Sequence, residues 1–196
     1  GFSSPGYGNA GEWNDINSSN NLWYLIEFDN QIISGTSSKD SLKGSSGNDT
    51  IDGKNNYDEV TFTGDYSDYT ITISNNNTSV KDNRTQVSDG LDTLSNIEKL
   101  VFSDKNALIL STGVKPINSI GFQSEKIYSG KSNEYNFYNL GNDKYGVGTS
   151  TAIDELTGAS LLKFDDKNIN LSTDIKATFD QITGLETDSG KMFRLY

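Results

Sequence analysis

The sequence predicts an all-β chain: a short parallel β-roll of three nonapeptides, then two related antiparallel β modules, and one short C-terminal helix. Three observations carry that expectation. Residues 35–61 divide without a gap into three nine-residue units held in one phase. The segments after them alternate apolar and polar residues at period two between clusters of turn-forming residues. The second half of the chain repeats spacings of the first half, which is the mark of an internal repeat.

The units begin at Gly35, Gly44 and Gly53; each has aspartate at position six (Asp40, Asp49, Asp58) and an aliphatic residue at position eight (Leu42, Ile51, Val60). Six residues ending in Asp make a tight turn whose backbone needs left-handed or otherwise strained angles at Gly, Asn or Ser. The other three make a very short strand whose middle side chain points inward. Turn and strand in alternation wind a flattened coil in which alternate turns stack on one edge. Asp40 and Asp58 then lie on one edge and Asp49 on the other, with Asp52 and Glu59 beside them. Stacked carboxylates and turn carbonyls form an all-oxygen environment suited to Ca2+, a hard cation that takes six to eight oxygen ligands. Asp40, Asp49 and Asp58 are the candidate calcium ligands, through their side chains.

The units resemble the glycine-rich RTX nonapeptide, Gly-Gly-x-Gly-x-Asp-x-aliphatic-x, a calcium-binding solenoid repeat. Gly44, Gly47, Asp49 and Ile51 make the middle unit the best match. Position two is Thr36, Ser45 or Lys54, and position four is Ser38 or Asn56 in the outer units, where that pattern has glycine. The resemblance implies a calcium-bound β-roll in a secreted bacterial protein.

Residues 1–34 read as an irregular, capping segment. Gly, Ser and Asn dominate 1–21, with Phe2, Tyr7 and Trp13 among them, so little regular structure is expected there. Those rings either stack on sugars or plug the open end of the next layer. Residues 22–28 alternate Leu22, Tyr24, Ile26 and Phe28 on one face of a strand, and 31–33 form a second short strand; together they cap the roll.

The first β module spans 58–112. Strands are expected at 60–62, 69–73 and 79–81, with turn chemistry at 75–78 and at Asp89-Gly90, and a closing strand through Leu94, Ile97, Leu100 and Phe102. Residues 111–116 carry one of two prolines and read as a linker to a second module at 117–171. In that second module Tyr128, Gly130, Glu134 and Tyr135 answer Phe62, Gly64, Asp68 and Tyr69 at an offset of 66. Leu156, Leu162, Phe164, Asp166, Lys167 and Asn168 answer Leu94, Leu100, Phe102, Asp104, Lys105 and Asn106 at an offset of 62. The four lost residues fall between the hairpin and the last strand. Phe62-x-Gly64-x-x-x-Asp68-Tyr69 and Asp92-Thr-Leu94-x-x-Ile97-Glu98-x-Leu100-x-Phe102-x-Asp104 resemble the module that often follows RTX repeats in secreted bacterial proteins. That scaffold accompanies proteases, lipases, adhesins and surface-layer proteins alike, so it indicates an environment rather than an activity.

One helix is expected in 172–196, capped by Ser172 or Thr173, with Ile175, Phe179 and Ile182 on one face and Gly184 at its end. Beyond it the chain reads as the start of a further segment. The opening at Gly1 and the close at Tyr196 lead us to expect an excerpt of a longer polypeptide.

Composition narrows the function. With 16 basic and 27 acidic residues the net charge is −11, which disfavours nucleic acid and anionic membranes and favours divalent cations. The chain has no Cys and no His, so disulfides, thiolate nucleophiles and imidazole-based triads are excluded. No apolar run approaches the roughly 20 residues of a membrane span. A glycosidase needs only two carboxylates, but Asp154-Glu155 and Asp165-Asp166 read as solvated acids at turns. The expectation is a non-catalytic, calcium-stabilised structural or adhesive segment of a cell-surface protein, of surface-layer or adhesin type. Its partners would be calcium, neighbouring copies or cell-surface polysaccharide. The other reading is the calcium-dependent folding and export region of a larger secreted hydrolase.

Overall fold

Three-residue strands are the unit from which the first half is built, each long enough to bury one side chain between two turns. In the computed structural model the described residues are 30–75, 77–86, 88–120, 124–141, 144–156, 161–181 and 192–193. Outside them lie the strand expected at 22–28, the rings of Phe2, Tyr7 and Trp13, and the helix positions Ile182 and Gly184.

Strands β1 (Ile32–Ser34), β2 (Ser41–Lys43), β3 (Thr50–Asp52) and β4 (Glu59–Thr61) follow at the nonapeptide spacing. A 3-10 turn (Tyr66–Asp68) and the hairpin β5 (Tyr69–Ser74) and β6 (Asn77–Asp82) intervene before β7 (Leu91–Ser95), β8 (Lys99–Val101) and β9 (Asn106–Leu110). The chain continues through β10 (Gly113–Ser119), β11 (Glu125–Ile127), a second 3-10 turn (Ser132–Glu134), β12 (Asn136–Gly141) and β13 (Lys144–Gly148). Then come β14 (Ile153–Glu155), β15 (Leu161–Lys163) and β16 (Asn168–Asn170), a π-helical turn (Leu171–Lys176), α1 (Ala177–Gln181) and β17 (Met192–Phe193). The fold is all-β, with one short helical segment near the C-terminus among the described residues.

Successive short strands go to opposite faces, so parallel partners lie two strands apart. On one face Ile33 pairs with Ile51 and Ile51 with Leu94; on the other Leu42 pairs with Val60 and Val60 with Leu100. These side chains point inward, and Ile51, Val60, Leu94 and Leu100 are fully buried. The roll is thus longer than three units. Ile33, nine positions before Leu42, gives it an earlier coil, and β7 and β8 add another after the hairpin insertion. Strand β4 runs parallel to both β2 and β8, whereas the sequence places the change to antiparallel pairing at that point. Antiparallel pairing starts only beyond the last coil: β6 and β5 extend one sheet, and β9 extends the other.

The second half repeats this plan. Strand β10 is parallel to β14, which continues antiparallel into β13 and β12, as β3 does through β7, β6 and β5. Strand β11 is parallel to β15, which pairs antiparallel with β16, as β4 does with β8 and β9. The aromatic cores match: Phe62 stacks on Phe102 with centroids 5.3 Å apart, and Tyr128 stacks on Phe164 at 5.4 Å. The missing residues fall in the connection 149–152, against 83–90 in the first half.

Three sequence expectations need correction. Residues 111–116 are not a linker, because β10 begins at Gly113 and pairs with β9, and this joins the two halves in one nine-stranded sheet. Between the halves a separate apolar layer forms from Tyr57, Leu108, Leu110, Ile117, Tyr138, Leu140 and Ile153. Asp154 and Glu155 lie in strand β14 rather than at a turn, and each faces a lysine, Lys126 at 4.0 Å and Lys144 at 2.9 Å. Helical structure is capped by Asn170, whose side chain accepts from the N–H groups of Ser172 and Thr173. Ile175 and Phe179 do cover the second core.

Candidate functional site

The phasing of glycine and aspartate in the nonapeptides has a steric cause. A Cβ at Gly35, Gly44 or Gly53 would stand 2.9, 2.4 or 2.6 Å from Oδ2 of the aspartate five residues on, so the turn closes only around a hydrogen.

Each position-six carboxylate reaches back one full coil. Asp49 Oδ1 accepts from the Gln31 N–H at 2.6 Å, and Asp58 Oδ1 from the Asp40 N–H at 2.7 Å, both 18 residues earlier. The series continues past the hairpin insertion: Asp92 accepts from the Asp49 N–H and Glu98 from the Asp58 N–H, each at 2.8 Å. Two ladders result, one on each edge: Gln31, Asp49 and Asp92, and Asp40, Asp58 and Glu98. Asp40 and Asp58 share one edge and Asp49 takes the other, as the repeat predicts. Asp92 and Glu98 are additional members that the sequence reading placed in the β module. A signal was there, because each stands two residues before an inward leucine, as position six stands before position eight.

The three turns are not equivalent. In the first, the N–H and the hydroxyl of Thr36 both donate to Asp40 Oδ2. In the second, the N–H and hydroxyl of Ser45 do the same for Asp49 Oδ2. The third has Lys54 at that place, at φ 77°, with Asn56 at the same φ. There the Lys54 N–H donates to Asp52 Oδ1 instead. Asp58 Oδ2 is left buried with no hydrogen-bond partner, on a residue with 0% exposure. The left-handed angles fall at positions two and four, where the resembling repeat has glycine.

Electrostatics set the same positions apart. Burial pushes the Asp58 carboxyl up to about 6, with the carboxylates of Glu98, Asp40 and Asp52 adding to the rise. Burial likewise pushes Asp92 up to about 7, beside Asp49, Asp89 and Asp82. Asp52 goes the other way, to about 2, because Lys54 and Asn96 hydrogen-bond its half-buried carboxylate. Burial also acts to raise Glu59, but its hydrogen bond and ion pair with Lys99 at 3.0 Å hold it below its ordinary value.

Among the described residues no three carboxylates converge on one point. A cation at either edge would therefore draw on one or two carboxylates and on turn carbonyls, which is a donor set calcium accepts. The unpartnered Asp58 Oδ2 fits such an ion, whereas Asp40 Oδ2 and Asp49 Oδ2 already hold N–H and hydroxyl donors. Lysine again marks the difference in the second half. Lys126 pairs with the buried Leu162, the place Val60 holds against Leu100. It sits 4.0 Å from Asp154 and 5.7 Å from the Tyr128 ring centroid.

A second polar cluster lies away from the edges. Asp89 accepts from the Tyr69 hydroxyl at 2.5 Å and from the N–H and hydroxyl of Thr63, while Arg84 bridges to Asp82 and Asp89. Tyr69 in turn accepts from the buried N–H of Gly64. This cluster ties the long connection 83–90 to the aromatic core and is internally satisfied.

No protein-family model matches the chain, and no curated protein matches it. No helix among the described residues is long and apolar enough to cross a membrane.

Proposed function

We propose that the chain is a calcium-stabilised structural or adhesive segment of a secreted bacterial cell-surface protein and has no catalytic role. The observation that carries this reading is the pair of carboxylate ladders along the roll edges, with Asp58 Oδ2 buried and unpartnered. Asp40, Asp49 and Asp58 are the side chains that would hold calcium, Asp40 and Asp58 on one edge of the roll and Asp49 on the other. Calcium, when bound, supplies a divalent charge that offsets the repulsion among them. Without it the stacked acids repel one another, and the net charge of −11 adds to the repulsion. Short coils bury one aliphatic side chain each, so the roll depends on what happens at its edges.

Extracellular calcium modules bind with dissociation constants of about 0.1 to 1 mM, far above cytosolic calcium. At tenfold excess over such a constant one site adds about 1.4 kcal/mol by mass action. A chain of this kind stays pliable inside the cell, suited to unfolded export, and stiffens outside it. Neighbouring copies or cell-surface polysaccharide are the partners such a scaffold serves.

The test is thermal unfolding and amide hydrogen exchange across 35–61 in EDTA, in millimolar calcium and in millimolar magnesium. Calcium is expected to raise both the melting temperature and the protection, and magnesium to do much less. Equal protection in all three conditions would leave a metal-free scaffold.

A further inference from the structure

We infer that the tight calcium site of this chain is a composite one, in which Asp58 of the third nonapeptide is joined by the Asn96 carbonyl and the Glu98 carboxylate from beyond the hairpin insertion. This rests on the calcium reading above and fixes which residues close the site.

The geometry singles out that place. A Cβ on Gly53 would lie 2.6 Å from Asp58 Oδ2 and 2.2 Å from the Asn96 carbonyl oxygen, so both oxygens close on the glycine from the same side. Both are acceptors, and Asp58 Oδ2 has no donor although the residue is wholly buried. Two acceptor oxygens brought close repel one another unless a cation or a proton lies between them. Glu98 completes the setting: it is buried, its Oε2 accepts from the Asp58 N–H at 2.8 Å, and its own N–H donates to the Asp58 carbonyl at 3.1 Å. Asn96 holds a left-handed φ of 52°, and its side chain is fastened to Asp52 at 2.8 Å. An open groove of about 630 Å³, lined in part by Lys54, Asn96 and Glu98, runs beside these residues.

A Cβ on Gly35 would likewise meet a carbonyl oxygen, that of Gly53 at 2.5 Å, and a carboxylate, Asp40 Oδ2 at 2.9 Å, but there and at Asp49 the carboxylate oxygen is already supplied with donors by Thr36 and Ser45. Position two decides the outcome: a hydroxyl residue caps its own turn, and Lys54 leaves the carboxylate open. Asp58 and Glu98 are 40 residues apart, so an ion between them fastens the roll to the far side of the β5–β6 hairpin. Binding then orders the inserted hairpin as well as the nonapeptides.

The test uses the full chain with calcium, and with terbium as a luminescent probe of the same site. Four proteins are compared: wild type, Glu98→Gln, Asp58→Asn and, as a control at an exposed acid of the second half, Glu125→Gln. The Glu98→Gln side chain retains one oxygen to accept from the Asp58 N–H while losing the charge and exchanging the other acceptor for an amide donor; far-UV circular dichroism checks that the fold survives. The composite site predicts that Asp58→Asn abolishes the tightest binding and that Glu98→Gln weakens it by about tenfold to a hundredfold. Glu125→Gln leaves that binding within about twofold of wild type. Calcium should also slow amide exchange at 96–101 in wild type and not in Glu98→Gln. If Glu98→Gln misfolds, the exchange of 96–101 in wild type, with and without calcium, decides alone. Unchanged affinity in Glu98→Gln beside loss in Asp58→Asn would overturn the composite site and leave the calcium reading standing. Absence of calcium and terbium binding by wild type, with protonation alone relieving Asp58, would overturn both.

Discussion

The two halves of the molecule share a strand plan and an aromatic core but treat charge in opposite ways. In the first, Tyr69 lies 5.0 Å from Phe102 and Phe62 stacks on that ring; in the second, Tyr135 lies 5.1 Å from Phe164 beneath Tyr128. The 3-10 turns agree in detail, since Tyr66 N–H donates to Asp104 and Ser132 N–H to Asp166, each at 2.7 Å. Around this common frame the first half stacks buried acids along its edges, whereas the second sets Lys126 beside Asp154. What is common to both is what closes a coil against an antiparallel hairpin. The feature confined to one, the ladder of carboxylates, is not needed for that closure and points to a separate task.

The largest expected effect tests whether the coils of the first half depend on their single inward side chains. Ile51→Asp places a carboxylate between Ile33 and Leu94 in a layer with no partner for it, at a cost of several kcal/mol. The variant should lose exchange protection throughout β1 to β4 and β7, with or without calcium. A folded Ile51→Asp protein with normal calcium response would show that the aliphatic positions are not the core of the roll.

Next come the two equivalent tyrosines. Tyr69→Phe strips a donor from Asp89 and leaves the buried Gly64 N–H without an acceptor, so a loss of about 1 to 3 kcal/mol in urea unfolding is expected. Tyr135→Phe removes one bond to the Ser129 carbonyl at an exposed position, and should cost at most about 1 kcal/mol. Equal losses would mean that the Asp89 cluster, absent from the shorter second connection, adds nothing to the first half.

Most of this frame was legible in the sequence. Position eight of each nonapeptide marks an inward residue, and the 66 and 62 offsets locate the matching aromatics, because a repeated core demands a repeated spacing. Two features were not legible. Coils interrupted by a hairpin leave no constant period, so Asp92 and Glu98 read as parts of an antiparallel module although register makes them continuations of the roll. The sequence also presents Asp40, Asp49 and Asp58 as equals. What separates Asp58 from the others is Lys54 at position two, which has no hydroxyl to offer and whose left-handed backbone turns its N–H toward Asp52, a direction the sequence alone does not display. Pro116 misleads in a third way, since a proline inside β10 suggested a linker where its place in the strand leaves pairing with β9 intact.

Acidity gives a further contrast. A carboxyl whose folded-state pKa is raised binds its proton more tightly when folded, so stability is greatest at low pH and falls as pH rises. For Asp58, facing Glu98, Asp40 and Asp52, the window runs from about 4 to about 6; for Asp92, facing Asp49, Asp89 and Asp82, it extends to about 7. Asp52, Asp82 and Glu59 have lowered values and add stability as pH rises, but over the range below or near their unfolded values. In EDTA the melting temperature should therefore decline between pH 4.5 and 7.5, and Asp92→Asn should flatten much of that decline. Calcium should recover the loss at pH 7.5. A profile that stays level in EDTA would mean that the ladder acids are not strained by burial.

The smallest effect separates two ion pairs that cross parallel strands in the two halves. Glu59 and Lys99 stand in register on β4 and β8, 3.0 Å apart, with side-chain exposures of 19% and 13%. Glu125 and Lys163 sit diagonally on β11 and β15, and their 2.6 Å contact is open to solvent at 46% and 39%. Distance alone would rank the second pair higher. Exposure reverses the order, because water and salt screen the open pair and its longer freedom of motion is lost on pairing. Lys99→Gln should cost about 0.5 to 1 kcal/mol and raise the Glu59 pKa toward its ordinary value. Lys163→Gln should fall within about 0.5 kcal/mol of wild type. Raising ionic strength to about 1 M should erase what remains of the Lys163 effect and leave most of the Lys99 effect. If the two substitutions respond alike to salt, partial burial along the roll does not strengthen its ion pairs, and the edge acids of the first half would owe their repulsion to proximity alone.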